Sequence, residues 1–297
     1  MIFRHLYVML LMSASAWALL GCGIGGDSGS TNTNTSTGNG ATGDVVVTPT
    51  TPTPPPTSTP TLVQPGVYAA TVNGQDFWGV ITPTAWGPRW YGLHYAALNP
   101  DIYSGDLAGA GTASASVSAL RYFQNTAAIV LNGTASMKSA AAGQVSGDLN
   151  LVTAAPPYKQ AISFVASTPT SVNYNQAAKL SDIAGGWTGR ISYGLGSNDA
   201  FSMNIASSGS VTADRFGVDC QWLAANATFE PNTELSIFRL NLTMNITTSC
   251  DFKGQTLTGV AFLQKSPVAG KTQRLIWVAT IAEGPAAGKG ISFKADR

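Results

Sequence analysis

The chain has 297 residues, 10% of them charged, with a formal net charge of +1. No basic run offers a phosphate-binding stripe and no acidic block offers a cation sponge, so neither nucleic acid nor bulk cation binding is expected. The bias toward Gly, Ser, Thr, Ala and Asn, with glutamate only at Glu230, Glu234 and Glu283, suits an exported β protein better than a helical enzyme.

Residues 1–21 read as a secretory signal: Arg4 with His5 beside it, then an almost wholly apolar run from Leu6 to Leu20. That run is too short for a helix crossing a hydrocarbon core of about 30 Å. Leu19-Leu20-Gly21-Cys22 resembles the lipobox of bacterial lipoproteins. The resemblance implies that the Cys22 thiol is diacylated and that the mature chain begins there. Two or more acyl chains anchor stably where one binds only marginally. Gly23 rather than Asp follows the cysteine, which within the Gram-negative family implies the outer membrane.

Residues 22–64 are predicted to be a disordered tether. The stretch through Gly43 is rich in Gly, Ser, Thr and Asn and reads as flexible, and Thr48 to Pro56 favours polyproline II. Neither composition buries a core. A coil of this length spans roughly 35 Å, and a fully extended one exceeds about 100 Å.

From Gln64 the pattern changes to short alternating runs separated by Gly, Asn and Pro. Residues 67–72, 77–81, 90–95, 127–131, 145–151 and 161–165 read as strands of a first unit, 65–176. A short helical turn is expected near 177–183. A second unit, 177–297, opens at Gly185-Gly186-Trp187. Its candidate strands are 187–193, 200–205, 210–213, 218–229, 237–246, 257–263, 275–281 and 290–294. The halves look like a degenerate repeat: 144–151 parallels 255–263, and 162–166 parallels 275–279. The fold class that follows is all-β, two tandem small antiparallel barrels after a tether. A Gly-x-Trp opening also occurs in lipocalin-like barrels, where the ring plugs one end.

The body resembles uncharacterised two-unit β-barrel outer-membrane lipoproteins of Gram-negative bacteria. The resemblance rests on Gly66-Val67-Tyr68, Gly185-Gly186-Trp187-Thr188-Gly189, the Ser208-Gly209-Ser210 turn, Cys220, a strand running to Cys250, and Gly259-Val260-Ala261. It covers most of 65–297 and carries no catalytic motif. A looser likeness is to the barrel lobes of transferrin-binding protein B, without that group's handle motifs.

With Cys22 used for lipidation, Cys220 and Cys250 remain as a pair, most simply a disulfide in an oxidising compartment. Phe238, Leu240, Leu242, Met244 and Ile246 share one phase of a period-two pattern with Cys250, so that thiol should face inward. Cys220 shares its phase with Trp222 and Ala224. A plain hairpin turning at Pro231-Asn232 sets Cys220 opposite Met244, so the bridge needs a bulge, a shifted turn or a return of the segment after Ile246.

Chemistry is sparse. After the signal, His94 is the single histidine, no Gly-x-Ser-x-Gly elbow occurs, and no cysteine is left as a nucleophile. No metal centre assembles around one histidine, and no cofactor is expected. A carboxylate pair drawn from Asp76, Asp101, Asp106 and Asp148 is the one hydrolytic arrangement open to this chain. Trp78, Trp90 and His94, in an aromatic-rich stretch, are the candidate ligand contacts, by stacking on a sugar or meeting an apolar partner; the competing reading is core packing. The expectation is a non-enzymatic, lipid-anchored outer-membrane protein that binds or presents a protein or glycan. The alternatives are a surface receptor for a host or nutrient ligand, and a hydrolase acting on envelope polymers.

Overall fold

The computed structural model describes residues 62–95, 100–124, 128–152, 159–194, 198–213, 222–244 and 252–297, all within one compact unit, Thr57–Arg297. The signal segment, Cys22, the tether through 61, Cys220 and Cys250 lie outside the described residues.

Eight strands close the first barrel in simple up-and-down order: β1 (Gly66–Val72), β2 (Gln75–Ile81), β3 (Arg89–His94), β4 (Asp101–Ala108), β5 (Ser114–Gln124), β6 (Ile129–Ala141), β7 (Gln144–Val152) and β8 (Lys159–Ser167). Local chemistry sets the first turn. Asn73 and Gly74 both take positive φ, 51° and 76°, the requirement of the two-residue hairpin that joins twisted strands. Side chains alternate in and out along each strand. Tyr68, Phe77, Trp90, Tyr103, Leu107, Tyr122, Leu149 and Phe164 form the barrel's own core. In β5 the alternation slips at a bulge between Val117 and Leu120, where Ala119 has φ 48°.

The second sheet uses α1 (Leu180–Ile183) and then β9 (Gly185–Ser192), β10 (Asp199–Ile205), β11 (Val211–Ala213), β12 (Trp222–Pro231), β13 (Ile237–Met244), β14 (Thr256–Lys265), β15 (Gln273–Ile281) and β16 (Gly290–Asp296). It is an eight-stranded antiparallel sheet that nearly closes. The last seam is held by a bridge between Ser210 and Thr228 and by the Phe229 N–H donating 2.8 Å to the Gly209 carbonyl. Trp187 is buried, its indole N–H donates 2.7 Å to the Ile183 carbonyl, and the Arg297 guanidinium lies 4.2 Å above its ring.

The predicted all-β class with two barrel-like sheets therefore stands, and three details change. β4 and β5 are absent from the strands expected from the sequence, because their inward positions include Asp101, Gly105 and Ala115 and leave little apolar signal. β6 is much longer than 127–131. The internal repeat is misaligned by one strand. β1 pairs with β8 and β9 with β16, so β7 is the topological counterpart of β15, whereas the residue match set it against β14. Gly- and Ser-rich strands match one another cheaply, so a one-strand slip costs the comparison little.

The barrels meet through their outer faces. Val67, Val80, Tyr91, Leu93, Tyr95, Ile102 and Phe123 of the first join Ile237, Val260, Phe262, Ile276 and Val278 of the second in one buried apolar cluster. This explains the near-continuous apolar run of β15, which is buried on both faces. Tyr174, between the barrels in sequence, joins the same cluster and donates to the Leu263 carbonyl at 2.5 Å.

Charges gather at the edge of this seam. The Lys294 ammonium lies 4.3 Å above the Tyr95 ring, and Asp296 accepts two hydrogen bonds from Arg274, at 2.8 and 2.9 Å, and one from Ser266 at 2.6 Å. Burial alone would raise the Asp296 carboxyl. The bonds from Arg274 and Ser266, with the charges of Arg274 and Lys294, outweigh it and hold the group below the ordinary carboxylate value. A carboxyl depressed in the folded state stabilises above its unfolded pKa, and that stability is lost as pH falls through the lowered folded value. Asp296→Asn is therefore expected to flatten the acid limb of a stability–pH curve. An acid limb identical to wild type would show that this carboxyl carries no linkage.

Candidate functional site

One end of the first barrel holds a buried polar cluster of His94, Asp101, Tyr103 and Tyr122. It is built by β3, β4 and β5. His94 and Asp101 are direct register partners across β3 and β4, and Tyr103 pairs with Tyr122 across β4 and β5. Alternation turns all four side chains inward. The Tyr122 hydroxyl donates 2.8 Å to Asp101 Oδ2. The rings of Tyr103 and Tyr122 stack, centroids 4.9 Å apart and 19° from parallel. Phe77 lies beside both His94 and Tyr103, at 6.1 and 6.2 Å. Burial pushes both phenols well above their ordinary pKa, and the Asp101 charge pushes the same way.

Beyond this cluster the barrel is filled. Inward Gly79, Gly92 and Gly147 leave gaps that rings occupy: a methyl at Gly79 would sit 3.1 Å from the Trp90 indole nitrogen, one at Gly92 would meet the Trp90 ring at 2.9 Å, and one at Gly147 would strike Phe164. Phe77 and Phe164 are 4.8 Å apart, and Phe77 and Trp90 6.2 Å. The aromatic belt is thus a packed core.

The three sequence candidates separate. Trp90 is 2% exposed and belongs to the belt. His94 is inside with Asp101. Trp78 points outward, half-buried, with its ring 5.5 Å from Phe262 in the seam. They do not form one stacking surface, and core and seam packing account for the two tryptophans. The four aspartates also separate. Asp101 is inside; Asp106 is exposed, 3.4 Å from Arg89; Asp148 is exposed and accepts from Ser163 at 2.6 Å; Asp76 is exposed near the seam. The sequence weighs Asp101 as a hydrolytic carboxylate; the structure gives it the Tyr122 hydroxyl as a donor, with Tyr103 stacked on Tyr122. The available signal was the shared inward phase of Tyr103 with Asp101, and it was hidden because β4 and β5 were not recognised as strands.

Solvent-facing grooves lie on the outer faces. One of about 320 Å³ crosses β9–β11 and is lined by Thr188, Ser202, Asn204 and Thr212. Another crosses β7 and β8, with Asp148 and Ser163 on its walls. On β12 and β13 the pairing steps irregularly: a step of five from Ala227 to Trp222 is matched by a step of two from Leu242 to Met244, and the turn falls over 232–237 rather than at Pro231-Asn232. Both cysteines of the predicted disulfide lie outside the described residues.

The fold and its filled interior define an all-β protein of two fused eight-stranded barrel-like sheets. No protein-family model, no curated protein and no solved structure matches the chain.

Proposed function

We propose that the protein is a lipid-anchored outer-membrane protein without enzymatic activity, whose two-barrel body binds or presents a protein or glycan partner. The observation that carries this reading is Leu19-Leu20-Gly21-Cys22 at the end of an apolar run, followed by a long Gly/Ser/Thr/Pro tether. The tether is long enough to hold the body clear of a membrane. Binding falls to the outer faces, because the aromatic belt fills the first barrel and the free faces offer grooves lined with hydroxyl and amide groups. A disulfide between Cys220 and Cys250, closing a loop of about 30 residues, would add roughly 3–4 kcal/mol on the chain-entropy model.

The anchor is tested with a labelled fatty acid in a Gram-negative host. The wild-type chain is expected to take up label and to partition with membranes. Cys22→Ala should take up none and appear in the soluble envelope fraction. Label retained by Cys22→Ala would remove the lipoprotein reading.

A further inference from the structure

We propose that Asp101, Tyr103, Tyr122 and His94, at one end of the first barrel, form a binding site for a hard trivalent metal ion, ferric iron by chemical class. Two buried polar atoms call for an occupant. The Tyr103 hydroxyl is in a residue with no exposed surface, and His94 Nε2 is in a residue 6% exposed; neither has a hydrogen-bond partner. A buried polar atom left unsatisfied is costly, and a native fold rarely keeps one without something to meet it. His94 is the register partner of Asp101 and Tyr103 that of Tyr122, so all four donors stand on inward faces at one end of the barrel.

The donor set selects the ion. It offers two phenolic oxygens, one carboxylate and one imidazole nitrogen. Hard oxygen donors favour hard cations. With both phenols ionised the set carries three negative charges, which a trivalent ion neutralises. A divalent ion would leave one uncompensated charge in a water-poor interior walled by Phe77 and the tyrosine stack, which is strongly unfavourable. Spacing agrees. Two oxygens in adjacent corners of an octahedral ion, each about 2.0–2.1 Å from the metal, are about 2.8–3.0 Å apart; Tyr122 and Asp101 present theirs 2.8 Å apart. Among the described residues no three His, Cys, Asp or Glu side chains cluster, so this centre is defined by its tyrosines.

Binding is written as Fe³⁺ entering while the Tyr103 and Tyr122 phenols each release one proton. Asp101 enters as carboxylate and His94 as neutral imidazole, and no electron moves. Uptake should therefore strengthen as pH rises toward neutrality.

The test titrates the full chain with ferric nitrilotriacetate. One ion per chain is expected, with visible tyrosinate-to-iron charge-transfer absorption. Tyr122→Phe and Tyr103→Phe should each at least halve that absorption, and His94→Gln should weaken binding about tenfold or more. Asp101→Asn, nearly isosteric, should do the same and serves in place of any tyrosine variant that fails to fold, as judged by near-ultraviolet circular dichroism. No visible band at one equivalent overturns the proposal. So does a band that these variants leave unchanged, because the iron would then sit elsewhere.

Discussion

Gly259→Ala is expected to unfold the second barrel. Gly259 lies on the inward face of β14, opposite Leu240 on β13 and Ala279 on β15. A methyl there would collide with the Val278 carbonyl oxygen and the Ala279 Cα. These are backbone atoms of a strand buried on both faces, so no side-chain rotation relieves the clash. The expected loss is on the order of 4 kcal/mol or more, the range reserved for severe core disruptions, and thermal or urea unfolding reads it. Gly147→Ala in the first barrel provides the contrast. Its methyl strikes only the Phe164 ring. That substitution should cost about 1–3 kcal/mol as ordinary overpacking, and Phe164→Leu beside it should restore part of the loss. A Gly259→Ala protein melting within a few degrees of wild type would mean that β14 and β15 do not approach so closely.

The second large effect concerns the seam. Each barrel has its own buried cluster, and a third cluster is shared between them. Val260, Phe262, Ile276 and Val278 are each 1% exposed or less and face the first barrel's outer wall. Burying four such side chains contributes about 1.5–3 kcal/mol each, together comparable with the whole stability of a typical domain. Ile276→Asp sets an unpaired carboxylate among them and should destabilise by several kcal/mol. The fragment 177–297, cut free, should aggregate through its exposed apolar face. The same fragment carrying Val260→Thr, Phe262→Ser, Ile276→Thr and Val278→Thr should stay soluble with a β spectrum, because the inward core is untouched. A soluble, monomeric wild-type fragment would show that the shared cluster contributes little.

Much of the fold is legible along the chain, and the limits are specific. Strands such as Gly66–Val72, Gln144–Val152 and Gln273–Ile281 announce themselves by alternation or by an unbroken apolar run between turn residues. β4 and β5 do not. Their inward residues include Asp101, Gly105 and Ala115, so little of the usual apolar signal remains. The site suffers from the same gap. His94 is conspicuous as the one histidine after the signal, but Asp101 and the two tyrosines become its neighbours only once β4 and β5 are paired beside β3.

By itself the sequence determined the all-β class, the division into two sheets and the shared face of Trp90 and His94. All of these follow from period two and turn chemistry, which act over a few residues and are written in order. Only the tertiary structure decided that Trp90 fills a barrel while Trp78 lies in a seam against Phe262, 184 positions away in numbering (262 − 78). It likewise decided which strand is the counterpart of which, and that Tyr122 meets Asp101. Those outcomes depend on barrel closure and on the docking of two outer faces. Closure and docking are set by the summed burial of side chains distant in sequence, and no local pattern carries that sum.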